Sequence, residues 1–194
     1  MLPHIKNSHA GVNRLDPVHN NIFEVYFTLP EEIANLYPET TALLTEHVLA
    51  VSGLDALNRA PEVSSQKFMG TERSYINPGL DSTRCEFEIR FSLNLNNGTD
   101  NYVLNLFRSW AKLGYDISTG KRSLKNEYCA DWMKISIANR RGDIFQNILF
   151  KDVMINGPID GMAELDYESL EAQEITVKFV SDYWDDLNTG LKEI

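Results

Sequence analysis

The residues that could carry out acid–base or metal chemistry lie mainly near the end of the chain. Asp182, Asp185 and Asp186 surround the pair Tyr183–Trp184, and carboxylates so close in sequence can hold a metal ion or activate water. Charged clusters are far more often solvated surface, by roughly ten to one. We therefore interpret this cluster as the solvated, acidic end of a strand.

The other candidate groups lack the spacing that their chemistry needs. A metal site requires several ligands that lie close together on one face of the fold. The four histidines are not spaced so that two of them would share a face with a carboxylate. They are His4, His9, His19 and His47. Residues 120–123 resemble only the end of a phosphate-binding loop, and no motif of a hydrolase, metalloprotease or nucleotide-binding enzyme occurs. The sequence thus predicts a protein that is not an enzyme and binds neither cofactor nor metal.

Composition limits the class of protein further. A net charge of −10 over 194 residues argues against tight nucleic-acid binding, which depends on clustered Lys and Arg. A chain of this length can bury roughly 70% of its unfolded surface in one domain. Cys85 and Cys129 are too few for a disulfide framework, so we expect two reduced, partly buried thiols. No apolar run approaches the length of a membrane span, and we expect no membrane partner.

The pattern of apolar and polar residues predicts six strands, over 22–29, 47–54, 85–95, 132–138, 143–155 and 174–184. In the clearest, 85–95, alternate apolar residues form one face, and Glu86, Glu88 and Arg90 lie on the other. Residues 143–155 are apolar on both faces, so we expect both to be covered. Strands of this kind leave sheet edges that identical neighbours could complete.

The segments between the strands are long. Apolar residues at helical spacing predict one amphipathic helix, capped by Thr99 or Asp100 and ended by Gly114. Residues 30–45 form a polar, partly helical insertion, and 115–127 form a basic loop. Residues 55–84 form an excursion in which Lys67–Met69 and Ser74–Ile76 pair as a short hairpin around Gly70.

These elements predict a mainly β fold of the α+β type. Its architecture is an antiparallel β-barrel or a two-sheet sandwich with one flanking α-helix and long loops. We expect a flexible N-terminal arm over 1–20, a single domain over 21–186 that includes the 55–84 arm, and a C-terminal tail over 187–194.

Five short segments, in this order along the chain, resemble a known family: Asn21–Val25, Lys67–Met69, the strand–helix step from Phe87 to Trp110, Ala163–Tyr167 and Ser181–Trp184. The order of elements resembles that of the tail tube proteins of contractile-tailed bacteriophages of the T-even type and their relatives in contractile injection systems. The resemblance implies a barrel of which six copies form a ring. It also implies that rings stack into a tube around the path of DNA, with a tail sheath outside, a tape-measure protein inside and a baseplate at the start.

On this resemblance the chain is expected in a virion tail, assembled in the cytoplasm of a bacterial host. The acidic composition suits a channel that DNA crosses without adhering. We expect ring or stacking contacts from residues of the arm and of the basic loop, and a lumen lined by the polar face of strand 85–95. The expected contact residues are Lys67, Phe68, Met69, Arg73, Lys121, Arg122 and Lys125, and the expected lumen residues are Glu86, Glu88 and Arg90.

Two departures from the family leave alternatives open. The 30–45 insertion is longer than the usual link between the first two strands, and residues 185–194 extend past the usual end. Either departure would fit a baseplate or adaptor ring with the same fold. An inner-tube subunit of a contractile injection system, whose tube surrounds the path of an effector, is a further alternative of the same class. A ligand-binding barrel, or a hydrolase built from residues distant in sequence, is the alternative from another class.

Overall fold

Most of the secondary structure is β-strand. The computed structural model describes residues 22–38, 40–58, 63–76, 84–93, 95–96, 100–138, 142–161 and 172–187. The predicted arm over 1–20, nearly all of the tail over 187–194 and the Ala163–Tyr167 segment lie outside these residues.

The strands of the described residues are β1 Phe23–Phe27, β2 Val48–Ser52, β3 Val63–Phe68, β4 Thr71–Ile76, β5 Cys85–Ser92, β6 Leu95–Asn96, β7 Asp100–Asn101, β8 Ala130–Ala138, β9 Ile144–Ile155 and β10 Glu174–Asp186. The helices are α1 Glu31–Leu36, α2 Thr40–His47, α3 Tyr102–Gly114 and α4 Lys125–Tyr128, with a 3₁₀ helix over Leu54–Asn58. All six strands predicted from the sequence are present, with ends that differ by a few residues.

Six strands form one antiparallel sheet in the order β1-β8-β9-β10-β5-β2. The sheet curls, because the rings of Phe27 on β1 and Phe91 on β5 are only 5.9 Å apart although three strands separate them. Helix α2 contacts both β1 and β5 and so lies across the gap between the two ends of the sheet. The architecture is therefore a nearly closed barrel, which decides between the two arrangements that the sequence left open.

Aromatic residues fill the concave side of the sheet. Phe87 and Phe150 lie 4.5 Å apart between ring centres, and both are fully buried. Helix α3 adds Phe107, 4.8 Å from Phe91, and Trp110, whose indole N–H donates to the carbonyl oxygen of Tyr128 at 2.7 Å. The predicted amphipathic helix thus packs on the core face of the barrel, as its apolar stripe requires.

The 30–45 insertion is partly helical, as expected: it folds into α1 and α2, which bury Ile33 and Leu44 in the core. Two other expectations need correction. The start of β9 is not fully covered: Ile144 and Phe145 are 51% and 40% exposed. The edge of β1 is not open along its whole length, because the Thr45 hydroxyl donates to the carbonyl oxygen of Val25 at 2.7 Å.

Candidate assembly surfaces

The β3–β4 hairpin is exposed along its whole length. Six consecutive residue pairs join its strands, from Val63–Ile76 to Phe68–Thr71. Met69 and Gly70 form the turn with φ values of 47° and 81°, which suits a glycine at the second position. The Thr71 hydroxyl donates to the carbonyl oxygen of Phe68 at 2.8 Å. The hairpin predicted from the sequence is thus present, with Gly70 in its turn.

All twelve strand residues of the hairpin are exposed. Five of the exposed residues of the hairpin are large and apolar, with 49% to 92% of each residue's surface exposed: Val63, Phe68, Met69, Tyr75 and Ile76. A two-stranded hairpin without a covered face is only marginally stable in water, and exposed apolar patches mark interaction sites. Phe68 and Arg73 share one face of the hairpin, Lys67 lies on the opposite face, and Met69 lies in the turn between them. These four expected contact residues are therefore all exposed at or near one end of the hairpin.

The outer face of β5 holds the three residues expected to line a lumen. Glu86, Glu88 and Arg90 alternate with buried residues and share one face, as predicted. Each has an ion-pair partner in the same chain. Those partners are Arg84 for Glu86, Lys178 for Glu88 at 3.6 Å and Glu174 for Arg90 at 3.4 Å. Since these side chains are about half exposed, the pairs add little stability, but they leave the face nearly balanced in charge.

The basic loop is closed by local hydrogen bonds. Tyr115 and Arg122 form an antiparallel bridge, and Asp116 accepts from the hydroxyl groups of Thr119 and Ser118 at 2.6 and 2.7 Å. These hydrogen bonds, that from Thr119 first, lower the pKa of Asp116 from 3.8 to about 2. Lys121 and Arg122 are exposed on this loop.

Lys125 differs from the other two cations of this region. It begins α4, and its ammonium group donates to Asp182 of β10 and to Asp152 of β9, the latter at 3.2 Å. The hydrogen bond with Asp182 is the main cause that raises the pKa of Lys125. Lys125 therefore connects α4 to the sheet of its own chain, and its ammonium group already has two carboxylate partners within that chain.

A surface that the sequence analysis missed lies on the outer side of β1, β8, β9 and β10. Lys134 lies 4.4 Å from the ring centre of Tyr26, and Lys151 lies 5.8 Å from that of Tyr183. Trp132, the cross-strand partner of Lys151, is 38% exposed. Aromatic residues at the polar positions of three strands were the signal in the sequence that could have revealed this surface.

An apolar cleft was also missed. It has a volume of about 390 Å³ and is lined by residues of β1, β2, the 3₁₀ helix, β8 and β9: Phe23, Val51, Leu54, Ile135, Ile137, Phe145 and Gln146. The Gln146 amide donates to Asp186 at 3.0 Å. The continuous apolar run of β9 was the signal for it, but the run was interpreted as a strand covered on both faces.

The groups considered for catalysis do not converge. No set of three His, Cys, Asp or Glu residues able to hold a metal is found within the described ranges. Asp182 binds Lys125 and Asp186 accepts from Gln146, so both carboxylates serve structure. His47 contacts the Ser92 hydroxyl through Nδ1 at 3.0 Å. Both cysteines are free, and both are more deeply buried than the partly buried thiols that the sequence predicted. Burial raises the pKa of Cys129 to about 11.

Within the described part of the chain, the longest apolar helical stretches fall short of what a membrane crossing requires.

Chains of contractile injection particles share this fold. A chain of the PVC sheath–tube complex of an extracellular contractile injection system, in its extended state, is 11% identical, with a TM-score of 0.54 over 89% of this chain and 93% of that one. A chain of the anti-feeding prophage cap, a tube-terminating cap, is 12% identical, with a TM-score of 0.53 over 91% and 94%. A chain of the six-fold symmetrised baseplate of the anti-feeding prophage is 14% identical, with a TM-score of 0.51 over 90% and 98%.

No protein-family model matches the sequence, nor does any curated protein. The fold is related to that of inner-tube proteins of contractile injection systems. The resemblance expected from the sequence is therefore confirmed at the level of the fold, over nearly the whole length of the compared chains.

Proposed function

We propose that this chain is a structural subunit of the inner tube of a contractile tail and acts by self-assembly, without enzymatic activity. Six copies form a ring, and stacked rings form the conduit through which a phage delivers its DNA. The expected partners are further copies of the chain, the tail sheath, the baseplate and a tape-measure protein, in the tail of a virion assembled in bacterial cytoplasm. The shared fold with chains of sheath–tube and baseplate structures supports this assignment.

The exposed β3–β4 hairpin is the observation that carries the proposal. Its apolar side chains have no cover among the described residues of their own chain, and burying each of them would contribute about 1.5–3 kcal/mol. A projecting arm that binds elsewhere on an identical molecule makes a heterologous contact, which produces rings or stacks. Self-assembly would thus supply the cover that the hairpin lacks.

The charged surfaces fit a conduit. The face that carries Glu86, Glu88 and Arg90 is wet and nearly balanced in charge, and the chain as a whole has a net charge of −10. A lumen of this kind would attract DNA phosphates weakly, so that DNA could slide through it. Lys121 and Arg122 on the basic loop supply a second contact with a neighbouring subunit.

A specialised ring of the same fold is the second candidate. It is favoured by the similarity to the tube-terminating cap and to the baseplate chain, whose TM-scores of 0.53 and 0.51 are close to that of the sheath–tube chain. The folded insertion over α1 and α2 is the feature in which such a ring would differ from a repeating tube subunit.

Electron microscopy of the purified full chain, over a range of concentrations, tests the assignment. Six-fold rings that grow into tubes when nucleated are expected. Rings that never elongate would favour the cap or baseplate alternative, and a monomer at the highest concentration would overturn both.

A matched pair of variants tests the part played by the hairpin. Met69→Glu should raise the concentration needed for assembly by about tenfold or more, because the contact would have to bury a charge. Leu36→Glu is the control, since Leu36 is an apolar residue that is 66% exposed but lies on α1, outside both the hairpin and the basic loop. Equal effects of the two changes would show that the hairpin has no special part in assembly.

A further inference from the structure

We propose that the tip of the β3–β4 hairpin of one copy, Phe68 and Met69, occupies the apolar cleft of a second copy. This inference rests on the proposed self-assembly and names the surface that receives the arm. The receiving cleft is the one formed by Phe23, Val51, Leu54, Ile135, Ile137, Phe145 and Gln146.

The tip is a compact apolar protrusion. Phe68 and Met69 are adjacent and are 70% and 92% exposed. The hydrogen bond from the Thr71 hydroxyl to the Phe68 carbonyl oxygen and the six cross-strand pairs hold the turn in shape. The turn therefore presents the two apolar side chains next to each other at the end of the hairpin.

The cleft can receive these two side chains. Its volume is about 390 Å³, whereas an apolar cavity of about 150 Å³ is enough to hold a benzene molecule. Six of its seven lining residues are apolar, and the seventh, Gln146, has its amide engaged by Asp186. Phe145 remains 40% exposed at its mouth, so an aromatic ring and a methionine would find apolar partners there.

Charge around the two surfaces is complementary. Lys67 and Arg73 flank the tip of the hairpin and outnumber Glu72, the cross-strand partner of Lys67, so the net charge beside the tip is positive. Carboxylates lie beside the cleft: Asp55 follows Leu54 directly, Asp143 lies two residues before Phe145, and Asp186 accepts from Gln146. Opposite charges on the two rims steer the approach and fix its orientation.

The hairpin tip that enters the cleft belongs to another copy of the chain, because the hairpin of the same chain does not contact the cleft. Every strand residue of that hairpin is exposed, and neither Phe68 nor Met69 is among the residues that line the cleft. A protrusion and a recess on different parts of one surface form a heterologous contact, and such a contact repeats from subunit to subunit.

Mixing two single-cysteine variants of the full chain tests the proposal. Met69→Cys and Phe145→Cys both alter exposed side chains, and the native thiols Cys85 and Cys129 are buried. When the mixture is mildly oxidised in the buffer used for assembly, it should form a disulfide-linked dimer at least tenfold faster than either variant alone. Two mixtures serve as controls: Ile117→Cys with Phe145→Cys, and Met69→Cys with Leu36→Cys, because Ile117 and Leu36 are as exposed but lie outside the tip and the cleft.

The outcomes separate this inference from the proposed function. Rings or tubes in the microscope without the 69–145 link would overturn the inference and leave the tube assignment standing. If neither assemblies nor the 69–145 link formed, the inference and the proposed function would both be overturned. A chain that carries both cysteines and closes a link within one molecule would show that its own hairpin fills the cleft, and would also overturn the inference.

Discussion

Two antiparallel pairs in this molecule have the same backbone pattern and opposite surroundings. In β5, and in β10 from Glu174 to Phe179, alternate residues are buried against the barrel core, and the other residues are more exposed. In β3 and β4 the cross-strand pairing is equally regular, yet all twelve residues are exposed. The difference shows that β5 and β10 are stabilised by burial within their own chain, whereas the hairpin has regular backbone pairing but leaves its apolar residues exposed.

The largest effect is expected from truncating one phenylalanine in each region. Phe87→Ala should lower the free energy of unfolding by about 3–5 kcal/mol, because Phe87 is 1% exposed and stacks with Phe150 and Phe179. Phe68→Ala, at a side chain that is 70% exposed, should change it by less than about 0.5 kcal/mol in the monomer. Urea unfolding below the assembly concentration measures both, and similar losses would contradict the contrast.

Two glycines give the next largest difference. Gly161→Ala should destabilise the barrel by about 1–3 kcal/mol, because its Cβ would lie 2.3 Å from the carbonyl oxygen of Glu174 and the residue has a φ of 135°. Gly70→Ala also places a side chain at positive φ, 81°, but nothing lies within 4 Å of its Cβ. Thermal unfolding of both variants should therefore show a clearly lower Tm only for Gly161→Ala.

A buried serine in the barrel should respond in the opposite direction. Ser181 is fully buried, and its hydroxyl has no hydrogen-bond partner within the described part of the chain. Ser181→Ala should raise the free energy of unfolding by about 1 kcal/mol, because the cost of an unpaired buried hydroxyl is removed. Ser64→Ala in the exposed hairpin should change it by less than about 0.5 kcal/mol. A loss of stability on Ser181→Ala would show that the hydroxyl has a partner.

A smaller effect is expected where α4 is tied to the barrel. Lys125→Met removes the ion pairs with Asp152 and Asp182, whose side chains are about half exposed, so the loss should be about 1 kcal/mol or less. Unfolding at low and high salt checks the cause, because salt should reduce the difference from the unchanged protein. A loss that is unaffected by salt would point to packing of the lysine stem instead.

The smallest effect concerns the basic loop at low pH. The pKa of Asp116 is lowered to about 2 by the hydroxyls of Thr119 and Ser118, so the loop gains stability from the carboxylate at pH values above about 4. That contribution is lost as the pH falls through about 2. An NMR titration should show this pKa, and Thr119→Ala should move it back toward 3.8. An unchanged titration in the variant would exclude the Thr119 hydroxyl as the main cause.

The sequence determined the strands, the amphipathic helix and the hairpin. Alternation in 85–95 and helical spacing in 103–111 are local patterns. Each pattern follows from which side of the strand or helix is buried. The residues Glu86, Glu88 and Arg90 could be placed on one face for the same reason. The exposure of Phe68 and Met69 was also indicated locally, by the shortage of apolar residues around them in 55–84.

Tertiary structure alone decided how these elements meet. The closure of the sheet depends on contacts between β1 and β5, more than 50 residues apart, and the apolar cleft is built from four separate stretches of the chain. The engagement of Lys125 depends on two carboxylates 27 and 57 residues away. Periodicity reports which side of a strand is buried but not which segment buries it, because that choice is made by packing between residues that are distant in sequence.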